Sequence, residues 1–329
     1  LSICTMNLII VNFIHNLSGY IMLTKIIVDK NKAWGKDLER DTSKFLVDFN
    51  EKVINEINSK RNEIQNENEL DFPILTEEIK NFKKNILIDG CGFFVIKGSK
   101  FSEFSNEEMK SIFKIISKIL GQLLIQNKNN EVTVDVHNLG KSMKTGGRYH
   151  HTKEGGSYHT DGCHLYHNFP HYVGLLCINQ AKSGGESKFV SAYTIHNQIL
   201  EKEKILKTLY EKFHIDKRNE NEKKKSSTQF EPIFEYENNN LIFRFQKELV
   251  EAGHEKMNQP LSTLQKESIE ELNRILSNSD NAVTYRLQPY DLMFSNNKWL
   301  IHDRNGFIDF NEDNKKRRLV RTWIRDITN

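Results

Sequence analysis

The spacing of apolar residues divides the chain into an N-terminal part with a helical period and a longer part with the period of strands. Between residues 43 and 65, apolar residues recur every three or four positions, which predicts an amphipathic helix. A second helix is predicted over about 76–86, and Ser105 and Glu108 have capping-box spacing at the start of a third. We therefore predict a helical supporting segment over about residues 40–125.

From about residue 130, the chain contains short runs of β-branched and aromatic residues separated by Gly, Asn and Pro. The clearest runs are residues 132–137, 172–178, 187–192, 233–237, 241–245, 283–288, 292–296, 298–302 and 318–326. Helical patterns near 193–212 and 262–277 interrupt the series. Many short strands preceded and interrupted by helices favour a barrel or a sandwich. The sequence thus predicts one β-rich α+β domain over 22–329, with its barrel at about 130–326.

The start of the chain has neither the pattern of a membrane span nor that of a signal peptide. Residues 8–15 are largely apolar, but polar residues interrupt the run, and a span requires roughly 20 apolar residues. No basic segment precedes the run, as a signal peptide would need. The chain opens with Leu, and Met22 is the candidate translation start. We therefore predict that residues 1–21 are an upstream, non-native extension.

The composition is that of a globular protein. Of the 329 residues, 37% are hydrophobic and 28% are charged, which excludes a disordered tail, a collagen-like repeat and a coiled-coil rod. The net charge is 47 − 44 = +3 with both signs spread along the chain, so we predict no nucleic-acid or membrane partner. The four cysteines show no paired spacing, which is typical of a reducing compartment and predicts a cytoplasmic location. The oligomeric state stays open.

The candidate chemistry lies in a cluster of histidines. Six of the 12 histidines fall between residues 150 and 171, although a lone histidine is more often structural than a ligand. His159 and Asp161 differ from the rest because residues at i and i+2 on an extended strand project to the same face. Such a pair becomes a metal site when a second histidine arrives from a distant strand. The candidate is His302, at the end of an apolar run.

Two histidines and one carboxylate form the facial triad that holds Fe(II) and leaves positions open for substrate and oxygen. A basic cluster follows His302, and in it Arg317 and Arg321 alternate with apolar residues in the pattern of a strand. The two arginines would share one face with Leu319 and Trp323. Arginines on an inward face need anionic partners, and a bound dicarboxylate is such a partner.

Four stretches of the chain resemble the TauD/TfdA-like branch of Fe(II)/2-oxoglutarate oxygenases, the taurine dioxygenase-type family. They are GGSYHTDGCHL (155–165), YVGLLCINQAKSGGESKFVSAYTIHNQIL (172–200), EAGHEKMNQPLS (251–262) and YRLQPYDLMFSNNKWLIHDRNGFIDF…KKRRLVRTWIRD (285–326). The resemblance covers roughly residues 90–326 in the expected order. It implies a double-stranded β-helix, a jelly-roll or cupin-like barrel, with a helical N-terminal segment and helical inserts.

The resemblance also implies a metal site. His159, Asp161 and His302 would be the iron ligands and the catalytic centre, and neutral imidazoles with a carboxylate suit Fe(II). Iron halogenases of this superfamily have a small residue in place of the carboxylate. The resemblance therefore implies oxygenation.

The co-substrate site is implied in the same way. Arg317 would pair with the distal carboxylate of 2-oxoglutarate, since a planar guanidinium can hold a carboxylate through two hydrogen bonds. The hydroxyl of Ser187, where the family commonly has Thr, would assist. Arg321 matches a family arginine close to the co-substrate and, in some members, to an anionic substrate group. Arg318 is adjacent to Arg317, and alignment on RTWIRD (321–326) selects Arg317.

We therefore predict a dioxygenase that uses Fe(II), 2-oxoglutarate and O₂, oxidises a small molecule and releases succinate and CO₂. Hydroxylation is the leading reaction, and desaturation is an alternative. A buried Arg321 needs an anion, which predicts an anionic, amino-acid-like substrate whose identity the sequence does not give. One competing interpretation is a zinc-dependent hydrolase with the same three ligands, which has no use for Arg317. The other is a non-catalytic, cupin-like binding protein.

Overall fold

The computed structural model describes most of the chain, namely residues 13–15, 21–64, 71–142, 149–165, 169–218 and 228–327. These residues form seven α-helices and eighteen short strands. The helices are α1 (Glu51–Ser59), α2 (Pro73–Phe82), α3 (Asn106–Leu120), α4 (Ala192–Ile199), α5 (Glu203–Leu209), α6 (Lys247–Lys256) and α7 (Thr263–Leu276). The strands are β1 (Phe13–His15), β2 (Ile21–Leu23), β3 (Leu46–Val47), β4 (Phe93–Ile96), β5 (Gln122–Leu124), β6 (Thr133–Val136), β7 (Tyr172–Asn179), β8 (Ser183–Gly184), β9 (Ser187–Ser191), β10 (Lys212–Asp216), β11 (Thr228–Pro232), β12 (Phe234–Glu237), β13 (Asn240–Phe243), β14 (Ala282–Tyr285), β15 (Leu292–Asn296), β16 (Leu300–Arg304), β17 (Phe307–Ile308) and β18 (Arg318–Arg325).

Two sheets form the frame of the molecule. The major sheet has seven strands in the order β3-β4-β15-β7-β18-β5, with β6 also paired to β18. The minor sheet has three strands in the order β14-β9-β16. The two sheets face each other. Phe93 of β4 stacks on Phe189 of β9 between them, with ring centroids 4.6 Å apart. These opposed, largely antiparallel sheets form the double-stranded β-helix that the family resemblance implied.

Strand β4 shows why the sequence builds a core on each face of the major sheet. Its four residues are all buried. Phe93 and Val95 pack in the core between the two sheets, whereas Phe94 and Ile96 pack in a second core with residues of α1, α2 and α3. Successive side chains point to opposite faces of a strand, so an entirely apolar run requires cover on both sides. The N-terminal helices supply the outer cover.

The predicted helix over 43–65 is wrong in its first half. Leu46–Val47 form β3, which pairs in parallel with β4, and the carbonyl of Phe45 accepts a hydrogen bond from the Val95 amide at 2.7 Å. The α-helix begins only after Asn50, whose side chain accepts a hydrogen bond from the backbone N–H of Val53. Pairing with a buried strand thus overrides the helical spacing of these apolar residues.

The other helical predictions are closer to the structure. Ser105 and Glu108 form the predicted capping box of α3. The predicted helix over 193–212 is two helices, α4 and α5, followed by β10, and α7 lies within the predicted 262–277. The helix predicted over 76–86 begins at Pro73 and continues past α2 as a π-helix, Lys83–Ile88. None of the helices in the described part of the chain is long and apolar enough to span a membrane.

Candidate metal centre and its cavities

Two distant histidines meet at the edge of the minor sheet through their backbones. His159 forms an isolated antiparallel bridge with His302, the third residue of β16. The N–H of each residue donates to the carbonyl of the other at 3.0 Å, so the two side chains lie opposite each other on one face. Their ring centroids are 4.4 Å apart.

Asp161 completes a group of three candidate ligands. Its Oδ1 lies 3.6 Å from Nε2 of His159 and 3.9 Å from Nε2 of His302. One ligand atom from each residue lies within 4.8 Å of the other two. The backbone N–H of Asp161 donates to Oδ1 of Asn297 at 2.9 Å, which fixes the ligand segment against the end of β15. Two imidazoles and one carboxylate in this arrangement fit the facial triad of Fe(II).

Hydrogen bonding and burial prepare the two candidate ligand imidazoles for metal binding in different ways. Nδ1 of His159 lies 2.7 Å from the carbonyl oxygen of Ser157, and an N–H donated there leaves Nε2 as the ligand atom. Burial alone would lower the pKa of His159, but its hydrogen bond to Asp161 raises it. Burial, together with the neighbouring His159, lowers the pKa of His302 to about 3. His302 is therefore neutral at pH 7, the form that binds a metal.

The Asp161 carboxylate is ionised and held by several donors. Arg321 Nη1 lies 3.2 Å from each carboxylate oxygen, and Trp323 Nε1 donates to Oδ2 at 2.9 Å. Arg321 Nε in turn donates to Oε1 of Gln126 at 2.9 Å. Burial alone would raise the pKa of Asp161, but the charge of Arg321 and the hydrogen bond to His159 hold it well below its usual range. These contacts orient the carboxylate before any metal arrives.

A cavity between the two sheets reaches the three ligands, and we call it the barrel cavity. Apolar side chains of the major sheet, among them Val173 and Leu175, line one part of it. Ser187 and Phe189 of the minor sheet line another part, and Arg317 lies in the same lining. The cavity is thus largely apolar with a few polar groups, as is usual for small-molecule sites.

Arg317 is a cation buried in the barrel cavity. Its side chain lies in the barrel cavity and is only 4% exposed. Among the described residues, Nη1 has no hydrogen-bond partner. Burial, with the neighbouring Arg304, lowers the pKa of Arg317 to about 10. Gly185, with φ +78, lets a turn approach closely, since a Cβ there would lie 3.1 Å from Arg317 Nε. The surroundings of this guanidinium suit an anion.

The adjacent Arg318 lies elsewhere. Its side chain is 45% exposed and pairs with Asp135 at 2.6 Å. The alternation along β18 explains this difference, because Arg317, Leu319 and Arg321 all line the barrel cavity. The structure therefore places the expected co-substrate residues Arg317 and Ser187 in one cavity and leaves Arg318 outside it.

A second cavity, which we call the Arg218 cavity, also reaches His159 and Asp161. Its lining includes Arg218, Gln246 and Arg321. Arg321 lines both cavities, so its guanidinium lies where they meet, against Asp161. Its contact with co-substrate or with an anionic substrate group stays a prediction.

Several residues around the site were missed by the sequence reasoning. Arg304 follows His302 by two positions on β16, and like Arg317 it is buried in the barrel cavity. The strand alternation used for the other arginines would have found it. Gln126, Asp303 and Arg218 carry no pattern that connects them with the ligands.

The donor set and the buried arginine fit Fe(II) and 2-oxoglutarate. Two imidazoles that can bind a metal in the neutral form and a carboxylate match the ligand preference of Fe(II). Nη1 of Arg317, which has no partner among the described residues, suits a carboxylate. A double-stranded β-helix with these features defines the class of Fe(II)- and 2-oxoglutarate-dependent dioxygenases.

The chain belongs to the taurine catabolism dioxygenase TauD, TfdA family, whose model matches residues 58–323. The predicted family, the enzyme class of 2-oxoglutarate-dependent dioxygenase and the cofactors Fe(II), 2-oxoglutarate and O₂ are confirmed by this membership.

Individual relatives agree with the family. The chain is 26% identical over 241 residues to FR-33289 synthase of Streptomyces rubellomurinus (strain ATCC 31215), a match that covers 71% of this chain and 69% of that protein. A structure of asparagine oxygenase in complex with Fe(II), 2S,3S-3-hydroxyasparagine and succinate has a TM-score of 0.66 and 16% identity, over 85% of this chain and 93% of that chain. The non-heme iron oxygenase OrfP in complex with Fe, succinate and (3S)-hydroxy-L-Arg has a TM-score of 0.61 and 12% identity, over 85% and 94%. These structural likenesses establish the fold.

Proposed function

We propose that the protein hydroxylates, or otherwise oxidises, a small anionic and amino-acid-like molecule with Fe(II), 2-oxoglutarate and O₂, and releases succinate and CO₂. One observation carries the proposal. The lining of a single cavity contains the group His159, Asp161 and His302 together with Arg317, a buried cation whose Nη1 has no partner among the described residues. Metal ligands and an anion site in one cavity suit a dicarboxylate that binds beside the metal.

The two competing interpretations explain less of this cavity. A zinc hydrolase needs only three ligands and a water. It does not explain why the Arg317 guanidinium is buried, although burial of this charge is costly. A non-catalytic cupin-like protein with a decayed site would lack a ligand or the arginine, and this chain has all four.

In the proposed reaction, His159, Asp161 and His302 would hold Fe(II). With Fe(II) and 2-oxoglutarate bound, the site supplies oxygen activation coupled to oxidative decarboxylation of the co-substrate. Trp323 and Arg321 donate to Asp161 and keep its carboxylate in one orientation.

The barrel cavity would bind the co-substrate. Arg317 would hold the distal carboxylate of 2-oxoglutarate through two hydrogen bonds, with the Ser187 hydroxyl as a further donor. Apolar side chains such as Val173 and Leu175 exclude water from the cavity, which strengthens the pairing of this carboxylate with Arg317.

Turnover of 2-oxoglutarate tests the proposed function. We expect the purified protein, titrated anaerobically with Fe(II) and 2-oxoglutarate, to develop the weak visible charge-transfer band of the chelated co-substrate. On admission of O₂ with a substrate, succinate should form in proportion to oxidised product. Hydrolysis supported by Zn²⁺ without succinate would favour the zinc enzyme, and absence of the band would contradict the proposal.

The Arg218 cavity would bind the substrate. Among its described lining residues, the carboxylate of Asp161 is already paired with Arg321, so the charge of Arg218 is uncompensated. Arg218 has no ion-pair partner in the part of the chain that the structure describes. A polar cavity with an excess positive charge beside the metal ligands favours an anionic substrate.

The backbone holds Arg218 in an unusual conformation. Its φ is +57, a left-handed value that is costly for a bulky residue. The carboxylate of Asp216 accepts a hydrogen bond from the Arg218 N–H at 2.8 Å, and Lys256 pairs with the same carboxylate at 2.6 Å. Strained residues that are fixed in this way are concentrated at ligand sites. The strain supports a role of Arg218 in binding.

The amino-acid-like character of the substrate is supported by the solved relatives. One was solved with 3-hydroxyasparagine and another with 3-hydroxy-L-Arg, both of them amino acids that carry a carboxylate. An amino-acid-like molecule would present such a carboxylate to Arg218.

A screen of matched acids and their neutral amides tests the substrate class through substrate-dependent succinate release. We expect the acids to be preferred, and Arg218→Gln to raise the KM for an active acid by at least about tenfold, because a charge-assisted pair is lost. Lys217→Gln is the matched control, since this neighbouring side chain is exposed and lies outside the cavity. A preference for the amides would exclude an anionic substrate, and an unchanged KM in Arg218→Gln would remove Arg218 from the site.

A further inference from the structure

The residue that follows His302 is a carboxylate buried in a dense network of donors. The side chain of Asp303 is completely buried, and its Oδ2 pairs with Nζ of Lys188 at 2.6 Å. Its Oδ1 accepts hydrogen bonds from the backbone N–H groups of Gly156 and Ser157, both at 3.1 Å, and from the Tyr149 hydroxyl at 2.7 Å. Burial alone would raise the pKa of Asp303, but its bonds to Lys188 and Tyr149 lower it.

The first arm of this network, by which we mean a chain of contacts from Asp303 to His159, runs through the backbone of Ser157. Ser157 donates its N–H to Asp303, and its carbonyl oxygen lies 2.7 Å from Nδ1 of His159. Gly156 allows the backbone to approach the Asp303 carboxylate. Its φ of +91 turns the N–H groups of Gly156 and Ser157 toward the same carboxylate oxygen. Asp303 thus fixes the residue that accepts the hydrogen bond of the His159 ring.

The second arm reaches the same imidazole from the side. The Tyr149 hydroxyl, which donates to Asp303, also accepts a hydrogen bond from the Arg304 backbone N–H at 3.1 Å. The Tyr149 ring meets the His159 ring edge-on, with centroids 5.4 Å apart and planes at 81°. Both arms begin at Asp303 and converge on His159.

We propose that Asp303 is a positioning residue, which holds the His159 ring ready for metal binding through Ser157 and Tyr149. Lys188 neutralises the buried carboxylate from the neighbouring strand, where it lies opposite Asp303 in the register of β9 and β16. The inference rests on the proposed function, since it takes His159 as a metal ligand. Partners of this kind around a ligand histidine fix its orientation, and their loss typically weakens metal binding by about 10- to 100-fold.

Two double variants separate positioning from simple stability. In Lys188→Met with Asp303→Asn, both charges are removed but an acceptor oxygen remains for Ser157 and Tyr149. In Lys188→Met with Asp303→Leu, the charges and the acceptor are both removed, and apolar replacement of a buried ion pair is often tolerated by the fold. We expect the Asn variant to bind Fe(II), or Co(II) as a probe, nearly as the parent protein does in anaerobic calorimetry. The Leu variant should bind about 10- to 100-fold more weakly.

A second buried Lys–Asp pair provides the matched control. Lys83 and Asp326 lie 2.7 Å apart, and their side chains are 9% and 17% exposed, against 19% and 0% for Lys188 and Asp303. Neither Lys83 nor Asp326 lines the cavities of the metal centre. Lys83→Met with Asp326→Leu should lower the melting temperature and leave metal affinity unchanged. Equal affinity losses in the control and in the Asp303→Leu variant would overturn the proposal.

Tyr149→Phe extends the test to a variant that keeps the buried carboxylate. It removes one hydroxyl, and we expect weaker metal binding with the fold retained, even where the Leu variant does not fold. Unchanged metal affinity in Tyr149→Phe and in a folded Leu variant would also overturn the inference. A parent protein that binds no metal would instead contradict the proposed function, so the two failures are distinguishable.

Discussion

Replacement of His159 or His302 by alanine is expected to abolish Fe(II) binding and 2-oxoglutarate turnover while the fold survives. The candidate centre has three protein ligands among the described residues, so either change would leave only two. The backbone bridge between the two residues uses main-chain N–H and carbonyl groups at 3.0 Å, and alanine retains both. Loss of activity without loss of structure is therefore the result expected of a ligand.

Calorimetric titration with Fe(II) under anaerobic conditions and succinate release measure the two effects, and circular dichroism reports the fold. His137→Ala is the matched control, because this histidine lies in a polar groove beside β6 and is not one of the three ligands. Turnover at the parent level in His159→Ala or in His302→Ala would remove that residue from the metal centre.

The sequence was informative where a strand period determines which side chains share a face. The alternation of Arg317 and Arg321 requires only an extended backbone to place both side chains on one face, whereas Asp161 lies in a turn two residues after the bridge at His159. The positions of Arg317, directly before β18, and of Arg321 within it follow from that period. The position of His302 opposite His159 is different, because strand pairing across such a separation is set by the whole barrel.

The side-chain contacts around Asp161 could not be predicted from the strand period. Trp323 was expected on the face of Arg321, but its hydrogen bond to the carboxylate depends on side-chain rotamers that a period does not encode. Gln126 reaches Arg321 from the chain next to β5, and nothing in its local sequence distinguishes it from a surface amide. Asp303 could be recognised only after Gly156 and Ser157 were placed over β16.

The helix predicted over 43–65 failed for a related reason. The apolar residues near the start of this segment have helical spacing, but they are equally compatible with a strand. They form one because β4 offers backbone groups with which β3 can pair. Asn50, a good N-cap residue, lies inside the predicted helix and marks its true start. A local capping signal was therefore a better guide than the period of the apolar residues.

Arg317→Ala is expected to raise the concentration of 2-oxoglutarate required for half-maximal turnover by about 100-fold. The loss of a buried, charge-assisted pair worth about 3 kcal/mol corresponds to this factor. Arg317 is 4% exposed and its Nη1 has no partner among the described residues, so a bound carboxylate would complete its hydrogen bonding. Fe(II) affinity should change little, because Arg317 is not one of the three ligands.

Arg318→Ala is the matched control for the register of this assignment. Its guanidinium is exposed and pairs with Asp135 on the neighbouring strand, and exposed pairs contribute about 0–1 kcal/mol. We expect its 2-oxoglutarate requirement to equal that of the parent protein. The visible charge-transfer band under anaerobic conditions separates co-substrate binding from later steps, since Arg317→Ala should form it only at high 2-oxoglutarate concentration. If Arg318→Ala instead shows that behaviour and Arg317→Ala does not, the co-substrate arginine is the adjacent residue, and the alternation along β18 would have to be reversed in the active protein.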